Sequence, residues 1–345
     1  MNEPASALPE TIQTVDYHTA GEPFRIVERA PLPIPGENVA DRRARAIDDP
    51  GLNALRRLLV CEPRGHADMY GGFVTEPDDP GAHLGVIFWH KDGFSTACGH
   101  GTIALCTWAV QSGLVRGASD GITEVIVDVP SGRVSALVHC ESGMVTGVEF
   151  LNVPSYSLAS GVEVETSRGR IEVQLGFGGA IYAQAAAATV GLSVDPQDLP
   201  ELIRIGREVK SRLSDSEFAK HPSDPRLNGI YGMIWFDDLG APEPQMLHQR
   251  NVTIFADGEV DRSPCGSGTS ARLAVLAAAG LMRPGMRLIH DSIIGSRFIG
   301  ELQGTVMAEG RPAVITSVYG SAFLTGEHRF HIDRRDPLVP GFTLR

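Results

Sequence analysis

Cys98-Gly99-His100-Gly101-Thr102-Ile103-Ala104 returns later in the chain as Cys265-Gly266-Ser267-Gly268-Thr269-Ser270-Ala271. Each copy opens an apolar run that closes on a glycine fifteen positions after its cysteine, Gly113 and Gly280. Both read as a glycine-rich turn entering a helix that stops at a C-terminal glycine. The first run (Ile103, Ala104, Leu105, Cys106, Trp108, Ala109, Val110) has almost no polar face, and the second (Leu273 to Ala279) has little more. A helix that is apolar all round belongs inside a core. Two related halves are therefore expected, each built around a buried helix with a cysteine at its amino-terminal end.

The flanking sequence supplies strands. Ile12–Asp16 and Phe24–Val27 form a hairpin-like start, Leu84–His90 is a buried strand, and Thr123–Val129 with Val134–Cys140 alternate as a hairpin around Pro130-Ser131-Gly132. Val60–Gly65 carries strand and turn signals. Val39–Leu59 is helical with a break at Pro50-Gly51, and Pro200–Leu213 is amphipathic, with Leu202, Ile205, Val209 and Leu213 on one face. Without regular βαβ alternation, this fits an α+β, or mixed α/β, fold better than a doubly wound sheet.

The 345 residues, 42% of them hydrophobic, can build large cores and suggest two domains. A net charge of −12 argues against nucleic acid or an anionic membrane as partner. No apolar run approaches a membrane span. The first twelve residues lack a basic start and a hydrophobic stretch, so a cytoplasmic location is expected. Five cysteines without a C-x-x-C indicate neither a disulfide framework nor a common zinc site; Cys61, Cys106 and Cys140 read as core.

A helix amino terminus exposes unpaired N–H groups and about half a positive charge. It binds carboxylates and lowers the pKa of a cysteine placed there. If two such ends face one carboxylate, their thiols flank its α-carbon. Cys98 as thiolate can then remove the α-proton while Cys265 as thiol returns one from the opposite side, inverting the centre without a cofactor. His100 and Asp261 could each bond a substrate amine or adjust a thiol proton; each could equally be an ordinary cap or turn residue. A thiol hydrolase would leave one cysteine idle, and a carboxylate-binding module would need neither thiol.

At these residues the chain resembles the proline racemase family. Asp16-x-His18-Thr19-x-Gly21-Glu22-Pro23 matches the family's opening, Cys98–Thr102 its first catalytic loop and Asp261–Ser270 its second, so the likeness covers nearly the whole length. It implies two pseudo-symmetric lobes of the diaminopimelate epimerase-like fold with a cleft between them. Residues 1–140 would form the lobe carrying Cys98, residues 141–329 the lobe carrying Cys265, with the segment from about 330 to 345 returning to the first. It further implies no PLP or other cofactor, no metal, and a homodimer acting on a small proline-type amino acid. Carried over, Cys98 would be the base towards the L-substrate and Cys265 the acid. Gly99, His100, Gly266 and Ser267 would surround the carboxylate, and Asp261 would sit near the ring nitrogen. Tyr182, after Gly178-Gly179, either borders the substrate or simply packs.

The family divides into proline racemases, 4-hydroxyproline 2-epimerases and trans-3-hydroxy-L-proline dehydratases. Arg250–Asp257, Gly179–Ala183 and Asp336–Phe342 look like the dehydratases, which typically have threonine where this chain has Cys265. Inversion needs a proton donor on the second face and Cys265 supplies one. Epimerase or racemase is therefore the expected activity, and dehydration to Δ1-pyrroline-2-carboxylate is the alternative.

Overall fold

The structure, a computed structural model, describes residues 8–344. The first half runs β1 (Thr11–Thr19), β2 (Glu22–Val27), α1 (Val39–Asp48), α2 (Pro50–Val60), β3 (Gly71–Thr75) and β4 (Leu84–His90). It continues through β5 (Gly93–Phe94), α3 (Gly99–Gln111), β6 (Gly121–Val129), β7 (Gly132–Glu141) and β8 (Met144–Leu151). The second half runs β9 (Tyr156–Thr166), β10 (Gly169–Phe177), β11 (Ile181–Ala186), α4 (Leu199–Leu213), β12 (Ile230–Asp238) and β13 (Met246–Phe255). After it come β14 (Glu259–Asp261), α5 (Gly266–Ala278), β15 (Arg287–Ser292), β16 (Arg297–Ala308), β17 (Arg311–Gly320) and β18 (Ala322–His331).

The repeat seen in two short stretches extends to the whole topology. In the first half β2–β3 and β4–β6 pair in parallel, and every other pairing is antiparallel: β1–β2, β3–β4, β4–β5, β6–β7 and β7–β8. The second half repeats each step in order, with β11–β12 and β13–β15 parallel and β10–β11, β12–β13, β13–β14, β15–β16 and β16–β17 antiparallel. β9 opens the second unit by pairing with β10, and the last strand, β18, opens the first by pairing with β1. β8 and β17 join the two units edge to edge. The fold is thus mixed α/β with two pseudo-symmetric lobes sharing one large sheet. The divisions expected at 140 and 330 cut through this pattern. We propose lobes of 8–151 with 322–344, and of 152–321; residues 1–7 and 345 lie outside the described residues.

Each lobe wraps its central helix. Gly99 to Ala109 of α3 and Gly266 to Leu276 of α5 are buried throughout. Ile103, Leu105 and Leu273 are completely covered, and each contributes about 1.5–3 kcal/mol of burial. Both helices end with a glycine in the left-handed region, Gly113 at φ 79° and Gly280 at φ 73°, where a side chain would strain the chain. The break at Pro50 also has a local cause: Asp49 closes α1 and its carboxylate accepts from Leu52 N, capping α2. Val60 ends α2 instead of starting a strand, because Leu55, Leu58, Leu59 and Val60 carry its buried face through the last turn. Among the described residues no helix is long and apolar enough to cross a membrane.

Candidate active site

The amino termini of α3 and α5 meet. A Cβ added to Gly99 would lie 2.6 Å from Gly266 Cα, and one added to Gly266 would lie 2.8 Å from Gly99 Cα. Only glycine lets two backbones approach so closely. The third residue after each cysteine is also glycine for a spatial reason: a Cβ on Gly101 would be 2.7 Å from Cys98 Sγ, and one on Gly268 2.8 Å from Cys265 Sγ. The four glycines bring the helix ends together and leave room for the thiols.

Cys98 and Cys265 are the N-cap residues, but they cap differently. Cys98 is extended, and its sulfur accepts from Gly101 N at 3.3 Å, as a serine cap would. Cys265 sits at φ 64°, a left-handed conformation that costs an L-residue on the order of 1–3 kcal/mol. Its sulfur makes no cap bond and lies 3.8 Å from the Tyr182 hydroxyl. The preceding turn holds this conformation. Asp261 Oδ1 accepts from Ser263 N at 2.8 Å and Ser263 Oγ at 2.7 Å, while Ser263 Oγ accepts from Cys265 N at 3.0 Å.

The other expected residues gather here. His100 lies 3.5 Å from Cys98 Sγ through Nδ1, and the same nitrogen is 3.9 Å from Asp261 Oδ2 in the other lobe. Tyr182 is fully buried and bonds Ser267 Oγ at 2.7 Å, so it touches the site instead of only packing. Cys98, Cys265, His100, Asp261 and Ser267 are all buried as well.

Burial reverses the expected thiol acidity. Desolvation pushes Cys98 well above the ordinary thiol range, against the Gly101 N–H. It also raises Cys265, with the Asp261 charge adding to the effect. The helix ends do not outweigh this in a sealed site. Burial likewise holds His100 down at about 3, so its imidazole is neutral, and lifts Asp261 to about 6 against its two Ser263 bonds.

Three residues missed by the sequence reading complete the wall. Tyr70 OH shares a short hydrogen bond with Ser95 Oγ and a 2.8 Å bond with Tyr231 OH. The Tyr70 ring meets His100 edge-on at 5.1 Å, and the Tyr231 ring meets Tyr182 edge-on at 5.7 Å. A row of hydroxyls thus runs from the Cys98 side to the Cys265 side. Tyr70 immediately precedes β3 and Tyr231 lies in β12, and nothing local distinguishes them from other sheet residues.

Two other features compete for attention. A surface hollow of about 1050 Å³ lies against α4, is lined by Ile203, Arg207, Lys210 and Asp257, and contains none of the site residues. Ligand atoms of His90, Asp92 and Glu259 come within 4.8 Å of one another, as around a metal. There, however, Lys91 Nζ lies 2.7 Å from Asp92 and 3.6 Å from Glu259 and already supplies the cation.

Known proteins share this architecture. The sequence model of the proline racemase family matches residues 14–343. Trans-3-hydroxy-L-proline dehydratase of Bacillus cereus is 40% identical over 331 residues, covering 96% of this chain and 97% of that protein. 3-Hydroxyproline 2-epimerase of Burkholderia multivorans is 41% identical over 339 residues, covering 98% and 99%. A crystal structure of a hydroxyproline epimerase from Agrobacterium vitis with bound trans-4-hydroxy-L-proline superposes with a TM-score of 0.90 at 32% identity, over 97% of this chain and 96% of that one. A PhzF-family protein of Bacillus anthracis, at 12% identity and a TM-score of 0.56, shares the fold alone.

Proposed function

We propose, for a chain that belongs to the proline racemase family, that Cys98 and Cys265 invert the α-carbon of a hydroxylated proline without a cofactor. The observation that carries this reading is the contact between two helix amino termini, each with a cysteine at its N-cap. Two ends of about +0.5 each match the single charge of an α-carboxylate. With the carboxylate held between them, the thiols approach the α-carbon from opposite sides.

The two caps suit different halves of the proton transfer. Cys98 Sγ accepts the Gly101 N–H with cap geometry, which favours the thiolate and the role of base; the Gly268 N–H acts on Cys265 in the same sense but without a cap bond. Cys265 Sγ stands beside the Tyr182 hydroxyl as a thiol able to deliver a proton. Burial makes an isolated thiolate costly, and the ring ammonium supplies beside Cys98 the positive charge that offsets this cost. Asp261 and the neutral His100 imidazole lie on the same side and would hold that ammonium. Because these groups are buried, the lobes must part to admit substrate, and their closure excludes water from the carbanion-like transition state.

The hydroxyls of Tyr70, Ser95 and Tyr231 support a hydroxylated ring over plain proline. Facing a bare CH2 edge they would bond only one another, whereas a ring hydroxyl could join their row. The Bacillus cereus and Burkholderia multivorans relatives, near 40% identity, are named for 3-hydroxyproline, which favours a ring hydroxyl at C3, while the Agrobacterium vitis epimerase with bound trans-4-hydroxy-L-proline keeps C4 in play.

A second reading has its own support. In trans-3-hydroxy-L-proline the α-hydrogen and the 3-hydroxyl lie on one ring face. Cys98 could break Cα–H and return that proton to the departing hydroxide, which leaves as water. The enamine then tautomerises to Δ1-pyrroline-2-carboxylate. The dehydratase names among the relatives favour this route, while Cys265 has no part in it. Proton NMR in D2O with proline, trans-4-hydroxy-L-proline and trans-3-hydroxy-L-proline separates the two. Deuterium at Cα together with the D-configured product supports inversion; the cyclic imine from the 3-hydroxy compound alone overturns it in favour of dehydration.

A further inference from the structure

Glu22, quoted above only as part of the opening Gly-Glu-Pro, is completely buried in β2. Its Oε2 bridges the lobes, accepting from Arg262 N at 2.8 Å and Arg262 Nε at 3.0 Å. Its Oε1 is buried with no hydrogen-bond partner. A buried carboxylate oxygen left bare is costly and calls for a missing donor.

The surroundings indicate which donor. Arg262 follows Asp261 in the chain, and the charges of Glu22 and Asp261 act on each other and on Cys98. The carbonyl of the next residue, Pro23, acts on the His100 imidazole and favours its protonated form. Arg262 cannot turn to cover Oε1, because its remaining nitrogens bond Val260 O at 2.9 Å and Asp68 O at 3.2 Å. Asp68, at the outer side of Arg262, adds a further carboxylate at 3.6 Å. Glu22 and Asp261 thus share the one guanidinium of Arg262 in a dry site.

A zwitterionic imino acid supplies what is missing. Its carboxylate goes to the two helix ends, and its secondary ammonium carries two N–H donors that both need acceptors once water is excluded. Asp261 offers one. We propose that Glu22 is the other carboxylate of this ammonium subsite, its free Oε1 accepting the second N–H. The inference rests on the reading of the substrate as a proline-type amino acid.

In the empty site, burial raises Glu22 well above the carboxylate range and Asp261 to about 6. Arrival of the ammonium therefore drives a proton off the pair. A ligand without an ammonium does not, which gives the test. Pyrrole-2-carboxylate keeps the carboxylate but has a neutral ring with a single N–H.

Glu22→Gln preserves the bonds to Arg262 and turns an amide NH2 towards the ligand. It raises KM for the hydroxyproline substrate roughly 10- to 100-fold, as loss of a charge-assisted hydrogen bond does, while the Ki of pyrrole-2-carboxylate stays within about twofold. Equal weakening of both ligands would mean that Glu22 only braces Arg262, and would overturn the inference. Wild-type protein gives an independent reading if the variant fails to fold. Calorimetry in two buffers of different ionisation enthalpy should show the epimer-equilibrated substrate releasing about one more proton than pyrrole-2-carboxylate at pH 7. Equal release refutes the subsite. If wild-type protein neither inverts nor dehydrates any hydroxyproline but still binds it with that proton release, the reading of function fails and the subsite stands; if it binds none, both fall.

Discussion

Replacing Gly99 by alanine tests whether the two helix ends act together. The new Cβ would sit 2.6 Å from both Gly266 Cα and Ser267 N. Ordinary contact begins near 3.4 Å, so the opposing backbone must retreat by about 0.8 Å (3.4 − 2.6). Neither contact is the tip of a flexible side chain, so the movement falls on α5 itself. Overpacking of this kind costs about 1–3 kcal/mol of stability. The rate should suffer more, because both thiols and both helix ends must be placed on one α-carbon. A displacement near 1 Å from the productive geometry reduces turnover on the order of 100-fold. The assay is kcat/KM for α-carbon inversion by polarimetry, with thermal unfolding recorded beside it. Gly304→Ala is the control, since nothing lies within 4 Å of that position, and it should leave both unchanged. A Gly99→Ala protein with wild-type kcat/KM would refute the claim that the abutting helix ends grip one carboxylate.

Other consequences are equally direct. Cys265→Ser should lower inversion by on the order of 10²–10⁴, the usual worth of a positioned acid–base group, while any dehydration of trans-3-hydroxy-L-proline persists; the same NMR assay reads both, and undiminished inversion would remove Cys265 from the mechanism. Burial makes Asp261 keep its proton up to about pH 6, so the carboxylate proposed to hold the ammonium forms only above that pH. The kcat/KM profile should rise through about 6 to a plateau, and Asp261→Asn should flatten that limb; a flat wild-type profile from 5 to 7 would contradict the assignment. Arg25 is buried, pairs with Asp16 at 2.7 Å and donates to the carbonyls of Leu59 and Arg64. Arg25→Ala should cost about 3–5 kcal/mol in urea unfolding, and a loss below 1 kcal/mol would show that Asp16 finds other compensation.

The legible part of this protein was the part written locally. Glycine spacing, a cap position and an unbroken apolar run are properties of contiguous residues, so Cys98, Cys265 and their helices could be read directly. His100, Asp261 and Ser267 came with them because they share the same turns. Tyr70, Ser95 and Tyr231 were hidden because their hydroxyls converge only after strands far apart in sequence pair, and a tyrosine in or beside a strand carries no mark of that. The direction of the thiol pKa was misjudged for a related reason. A helix end is visible in a sequence, but the depth at which it is buried is a property of both lobes. The late returning strand was also only half seen: Phe330–Ile332 was recognised, but β18 begins at Ala322, and Phe323, Leu324 and Glu327 break the alternation that marks a half-buried strand.

That returning strand bears on how the protein is made. β18 is the last of the described strands to leave the ribosome, yet it pairs along β1 from Thr11↔His331 to Thr19↔Ala322. The lobe that is synthesised first therefore waits, with an open edge beside α3, until the lobe synthesised second is already complete. Open edges recruit other strands, and pairings between distant parts of a chain form slowly. The nascent first lobe is consequently the species most exposed to mispairing during translation. The pairing of β1 with β18, not the segments between them, sets when the cysteine of the first lobe becomes part of a finished site.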